Sequence, residues 1–127
     1  MTLVDLLNRV AEQLPGCKST SIVSLHSGLA LASVAPGDAD AAAGADAFTS
    51  DLYRLTANAM QELGSQDSVD NIVIEGKQAT FVSTPLGDGE HFWHVVTAHD
   101  TTLGFTQAVM RKHRDDIEQS ISALLGD

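Results

Sequence analysis

Cysteine, proline, aromatic residues and positive charge are all scarce in this chain, and each shortage narrows what it can be. The single cysteine, Cys17, cannot form an internal disulfide, which fits a reducing compartment. Three prolines among 127 residues, with 43% hydrophobic and 19% charged residues, describe a folded globular chain rather than a disordered one. Seven Lys and Arg against 17 Asp and Glu leave a formal charge of -10, which repels phosphate backbones and anionic lipid surfaces and disfavours nucleic acid as a partner. No apolar run approaches the length of a bilayer span, and neither end carries a lipidation motif. The opening MTLVDLLNRV has neither the charged n-region nor the small-residue cleavage site of a signal peptide, so the expectation is a soluble, cytoplasmic protein without membrane insertion.

What is present suffices for one core and predicts a single domain over residues 1–127. The acidic residues are spread over Asp38 to Asp51, Glu62 to Asp70 and Asp115 to Glu118, the pattern of a solvated surface and not of an acidic tail.

Along the chain, Thr2 and Asp5 resemble a capping box, and Leu3, Leu6, Leu7, Val10 and Leu14 recur at helical spacing until Pro15 and Gly16 stop the run. An alternating strand from Ser19 to Leu25 follows, then a turn at His26-Ser27-Gly28 and a second strand from Leu29 to Ala35. Ser21, Val23 and Leu25 fall on one face of the first strand; Leu29, Leu31 and Ser33 share a face of the second. Neither face reads as strongly polar, so helices are expected above and below the sheet. A long helix is predicted from about Asp40 to Leu63, with Phe48, Leu52, Leu55, Ala59 and Leu63 as its sheet-facing stripe. Thr49, Tyr53, Thr56 and Met60 form a second stripe too apolar for an ordinary wet flank, a candidate partner-helix surface. After Gly64-Ser65-Gln66 come three strands, Ser68 to Glu75, Gln78 to Leu86 and His91 to Ala98, the first apolar on both faces through Val69, Ile72, Val73 and Ile74. A last helix capped by Thr101 or Thr102 carries Leu103, Val109, Ile117, Ile121, Leu124 and Leu125 and ends at Gly126. The order α-β-β-α-β-β-β-α predicts an α+β fold with a five-stranded antiparallel sheet between helical layers.

No catalytic constellation emerges. His91 and His94 lie three apart on a strand and so point to opposite faces, and His26, His99 and His113 lie on other elements. Asp38, Asp40 and Gly44 fail as a calcium loop, because Ala43 and Thr49 stand where an EF-hand needs its glycine and bidentate glutamate. Ser27-Gly28 is turn chemistry, Cys17 is a small packing residue, and Gly87-Asp88-Gly89 precedes a strand, unlike a phosphate cradle. No cofactor is called for. Arg111, Lys112 and Arg114 form a basic cluster on the final helix, read mainly as pairing with Asp115, Asp116 or Glu118 and otherwise as a partner contact. Trp93 and Phe81 are expected in the core, with a ligand pocket beside them as the reading that would make this a small-molecule sensor.

The ordered set of motifs resembles the Roadblock/LC7 family and its MglB-like branch. It comprises Leu14-Pro15-Gly16, the hairpin SIVSLHSGLALAS from Ser21 to Ser33, the Ala-rich second helix and TLGFTQAVMRKHRDDIEQSISALL from Thr102 to Leu125. Where the family commonly has Asp-Gly at the first hairpin turn, His26-Ser27 precede the glycine here. The resemblance implies a profilin-like sheet with the second helix on one face and the first and last on the other. It also implies a homodimer joined through the second helices and the strand near Val69, so that Thr49, Tyr53, Thr56 and Met60 with Val69, Asn71, Ile72 and Val73 would form the interface. It further implies a non-enzymatic regulator or scaffold of a small Ras-like GTPase, possessing no catalytic residues of its own unless Arg9, Arg54 or Arg111 served as an arginine finger. The alternative within the family is a structural subunit without effect on nucleotide hydrolysis.

Overall fold

The computed structural model describes residues 1–36, 39–64 and 69–126, and of residues 39–48 the backbone. Its elements are α1 (Leu3–Gln13), β1 (Cys17–Ser24), β2 (Ala30–Val34), α2 (Ala39–Glu62), β3 (Ile72–Glu75), β4 (Ala79–Pro85), β5 (His91–Ala98) and α3 (Leu103–Leu125). The five strands form one antiparallel sheet in the order β2-β1-β5-β4-β3. α1 and α3 cover one face and α2 the other, so the α+β plan and its layering are as expected.

The α1 and α3 layer follows directly from the sequence pattern. The Thr2 hydroxyl accepts from the Asp5 N–H at 3.1 Å while the Asp5 carboxylate accepts from the Thr2 N–H at 3.0 Å, closing the capping box. Leu3, Leu6, Leu7, Val10 and Leu14 are all buried against Ile22, Ala32, Val82, Trp93 and Val95 of the sheet. Thr102 caps α3 by accepting from the Phe105 N–H, and Gly126 ends it at a positive φ of 78°. Val109, Ile117 and Ile121 pack inward as the spacing predicts, joined by Met110, Thr106 and His113; Leu124 and Leu125, in the last turn, are exposed instead. The corner after α1 requires Gly16. Its φ is +76°, and a Cβ would approach that of Ala98 to 3.1 Å. Its carbonyl accepts from the Ala98 N–H at 2.8 Å and the Thr101 hydroxyl donates to the Pro15 carbonyl, pinning the end of α1 to the start of α3.

On the opposite face α2 is rotated from the expectation: of its predicted sheet-facing stripe Leu52 packs inward, but Leu55, Ala59 and Leu63 do not. Tyr53 is 6% exposed and Thr49 is buried, with Thr56 and Met60 half-buried, whereas Leu55 is 70% and Leu63 82% exposed and Ala59 lies open. The Phe48 side chain lies outside the described residues. The sheet explains the rotation. Its register aligns Ser33, Ser21, His94 and Ser83 in one row beneath α2, a polar strip that rewards hydrogen-bonding side chains over leucines. Ser21 and Ser33 share a hydrogen bond of 2.7 Å, and Ser83 donates to the Tyr53 oxygen at 3.1 Å. Ser50 donates to the Leu25 carbonyl at 2.7 Å. Leu55, two positions beyond Tyr53, is then turned roughly 200° away from the sheet.

Three strand expectations also change. β1 begins at Cys17, two residues early, because its pairing with β5 continues to Thr97. β2 carries a bulge: Ile22 opposes Ala32 but Val23 opposes Ala30, so Leu31 is the extra residue and Ala30, not Leu31, shares a face with Ser33. β3 is shorter than expected, starting at Ile72; Val69, Asp70 and Asn71 precede it without strand pairing, and Ser65 to Ser68 lie outside the described residues.

Candidate interaction surface

Two features are left uncovered, one at a sheet edge and one on α2. β3 stands at one edge and pairs only with β4 among the described residues, in four regular pairs from Ile72 opposite Ser83 to Glu75 opposite Thr80. The other edge, β2, is interrupted by its bulge, one of the ways a natural sheet blunts an open edge. β3 has no such device, and Val73 and Ile74 are 38% and 49% exposed. On the α2 side, Leu52 packs against the cluster of Val23, Tyr53, Ile72 and Phe92, while Leu55 and Ala59, turned away from Tyr53, are exposed. Of the residues expected at a dimer interface, Val73 is exposed on β3 and Asn71 is exposed before it. Ile72 and Thr49 are buried, Val69 is half-buried, and Tyr53 packs against the sheet with its hydroxyl on Ser83.

The basic residues divide by whether the chain already uses them. Arg54 donates to the Leu25 carbonyl at 2.9 Å and to Ser50 at 3.0 Å and pairs with Asp51. Arg114 pairs with Glu118 at 3.0 Å and donates to the Pro85 carbonyl at 2.9 Å, the intrahelical pairing the sequence suggested. Glu118 also accepts from the Gly87 N–H at 3.0 Å, so the glycine turn is held by a carboxylate of the protein itself. Arg9, Arg111 and Lys112 are exposed and make no hydrogen bond or ion pair among the described residues.

The titratable groups are structural in placement. Burial pushes the Tyr53 hydroxyl up to about 12, with Ser83 opposing and Asp70 adding to the shift. Burial raises Asp88, but the Glu90 and His91 backbone N–H groups and the His91 ring, 2.6 Å away, outweigh it and hold the carboxyl below its ordinary value. His113 is lowered by burial, then by Lys112 and Arg9, against Asp116; its Nε2 lies 2.9 Å from Gln13 Oε1. Burial raises the half-buried Cys17 thiol, whose sulfur donates to the Ser19 carbonyl. The register places His91 and His94 on opposite faces, and no group of three or more His, Cys, Asp or Glu among the described residues could hold a metal ion. Trp93 and Phe81 also lie on opposite faces, Trp93 under α3 and Phe81 stacked on His94 at 5.4 Å beneath α2, so they do not line one pocket.

These features define a class: an α+β domain with an open sheet edge at β3 and exposed apolar residues on α2. The chain belongs to the Roadblock/LC7 domain family, whose pattern matches residues 3–98. Its structure resembles a Roadblock/LC7 domain from Streptomyces avermitilis, at 20% identity over 100% of both chains with a TM-score of 0.80. It also resembles MglB of Myxococcus xanthus, at 15% identity over 95% of each chain with a TM-score of 0.81. Profilin II of Acanthamoeba castellanii is a more distant match, 15% identical over 94% of this chain and 96% of its own, with a TM-score of 0.56. Among curated proteins none matches the sequence. No helix among the described residues is long and apolar enough to cross a membrane.

The sequence reading missed the serine and histidine row beneath α2, although Ser21, Ser33 and Ser83 in strands were its visible signal. It also missed the Trp93 indole N–H donating to Thr20 at 2.8 Å, a pairing across 73 positions that only the strand register reveals.

Proposed function

We propose that this chain is a homodimeric interaction module that regulates or scaffolds a small Ras-like GTPase. The observation that carries the reading is membership of the Roadblock/LC7 family, together with exposed apolar residues on α2 and an open sheet edge at β3. In the dimer, β3 pairs with its twin through the edge that Val73 and Ile74 leave open, and the α2 helices pack through Leu55, Ala59 and Leu63. This moves the helix contact from the Tyr53 stripe to the leucine stripe while keeping the strand contact.

As a regulator the module acts on its partner by binding and biasing the switch segments, because in phosphoryl transfer the nucleotide and magnesium machinery belongs to the GTPase. Arg111 and Lys112, unpaired cations on a chain of charge -10, are the side chains that a partner's acidic surface would meet. Arg114, paired with Glu118 and bonded to the Pro85 carbonyl, is the less available of the three.

The test joins native mass spectrometry with affinity capture from the host and GTP turnover of the captured partner, with and without this protein. The reading expects a dimer at micromolar concentration and a GTPase whose turnover or assembly changes on addition. A stable monomer defeats the interface, and specific partners that include no GTPase defeat the regulatory role. A captured GTPase whose turnover is unmoved assigns the scaffold role instead.

A further inference from the structure

The two edges of the sheet differ in whether a further strand can add to them. β3 presents Ile72 to Glu75 in unbroken register. β2, Ala30–Val34, pairs only with β1 among the described residues, and Ala30 and Ser33 are exposed, so solvent reaches this edge as well. Its composition gives it no protection. From Leu29 to Ala35 the chain reads LALASVA, with neither a charged residue nor a proline to stop edge-to-edge pairing. An uncharged apolar window on an edge strand is the kind of segment through which sheets polymerise.

Leu31 interrupts that window. Ile22 opposes Ala32 and Val23 opposes Ala30, so Leu31 is inserted between them with no residue of its own opposite on β1. The extra residue breaks the alternation with which a strand presents N–H and C=O groups outward, and it bends and twists the strand. A straight incoming strand can match Ala32 to Val34 or the stretch before the bulge, but not both, and either part falls short of a usual strand of about 5–6 residues. Leu31 is only half-buried, at the margin of the core beneath α1. We infer that the Leu31 bulge closes β2 to strand addition by a second copy of this chain, so that association through the sheet is confined to the β3 edge. The inference stands on β2 alone and not on the GTPase reading; the β3 dimer decides only how large an assembly grows once β2 is opened.

Deletion of Leu31 is the test, because Ile22–Ala32 and Val23–Ala30 then become successive pairs of a regular ladder while the turn at His26 to Gly28 is untouched. Native mass spectrometry and light scattering of the full chain are expected to give about twice the wild-type mass or more, rising with concentration. Adding Ala30→Lys puts a charge at an exposed position of the opened edge and is expected to restore the wild-type mass. Adding Leu55→Asp instead is expected to stop the deletion variant at a dimer joined through β2. A wild type that is monomeric defeats the β3 dimer and leaves the same expectation of a β2-joined dimer for the deletion alone. The inference is overturned if the deletion variant melts cooperatively yet keeps the wild-type mass at every concentration, or if Ala30→Lys fails to reverse its association. The wild type supplies a second measurement that needs no folded variant. A fluorescein-labelled peptide of the Leu29 to Ala35 sequence is expected not to bind it, and saturable binding that Ala30→Lys abolishes would show β2 to be open despite its bulge.

Discussion

Tyr53 and Ser83 meet across the seam between α2 and the sheet, the serine hydroxyl donating to the phenolic oxygen at 3.1 Å while the Tyr53 ring lies 4.9 Å from that of Phe92. The contact fixes the rotation of α2, and with it which side chains the helix hides and which it presents. Tyr53→Phe keeps the ring and removes the acceptor of a fully buried hydroxyl, which costs about 1–2 kcal/mol. Tyr53→Ala also opens a cavity and costs about 3–5 kcal/mol. Urea denaturation measures both. As the only tyrosine, Tyr53 is also visible in ultraviolet absorbance, and its phenolate should appear near 12 in the folded chain rather than near 10. A folded value above the unfolded one means that the native state holds the proton longer. Stability is therefore complete below the unfolded value and falls as pH rises towards 12.

The exposed leucines give the opposite expectation. Leu55→Asp on α2 and Leu63→Asp just after it place charge at positions 70% and 82% exposed, so thermal stability measured at high dilution should change by no more than about 0.5 kcal/mol. At micromolar concentration the same substitutions should shift the protein from dimer to monomer by native mass spectrometry, because two like charges would be buried against their symmetry mates. Dimers that persist in both variants would remove the leucine flank from the interface.

Beneath the other layer, Trp93 and Thr20 form the polar contact that holds the tryptophan within an otherwise apolar core. Thr20→Val is close in shape but leaves the indole N–H without its acceptor, a loss of about 1–3 kcal/mol. The variant should keep the fold, unfold at lower urea and show altered Trp93 emission before unfolding begins. An unchanged midpoint would mean that the indole finds another acceptor.

Acid sensitivity above the carboxylate range should localise to the seam between α1 and α3. His113 has a folded value below its ordinary 6.5, lowered by burial, Lys112 and Arg9, so protonation favours the unfolded chain. The unfolded state binds more protons between the two values, and stability rises with pH there: it is complete above about 6.5 and declines as pH falls towards the folded value. Comparing wild type with His113→Gln by chemical denaturation at a series of pH values should show a shallower decline in the variant. Parallel curves would assign the acid sensitivity to other groups.

Much of this architecture was legible in the chain because local rules and tertiary demands agree. Thr2 and Asp5 cap α1, its leucines recur at one spacing, and Gly16 and Gly126 stand where a positive φ is needed. β5 was read to the residue because His91 to Ala98 is bounded by unmistakable turns. The α2 stripe was not legible, since hydrophobicity alone favours the leucines, and only the register that aligns Ser21, His94 and Ser83 shows why Tyr53 and Ser50 turn inward. The β2 bulge and the late start of β3 have the same origin, being set by what lies across the sheet. Which side chains α2 leaves exposed was not legible from hydrophobic periodicity.

The same logic sorts the three arginines that the family resemblance offers as possible fingers. Arg54 is held by the Leu25 carbonyl, Ser50 and Asp51, so it would have to break its own contacts to reach a partner, and Arg54→Ala should show mainly as reduced stability, about 1 kcal/mol by denaturation. Arg9 and Arg111 have no such contacts among the described residues, so Arg9→Ala and Arg111→Ala should leave the melting curve within about 0.5 kcal/mol of wild type. If one of them stabilises the transition state of a partner GTPase, its alanine variant should still bind the partner but lower stimulated GTP turnover by about a thousandfold, the scale of an arginine finger. If both variants stimulate turnover as wild type does, any effect on hydrolysis must come through the shape of the partner's switch segments, with no arginine of this chain entering the nucleotide site.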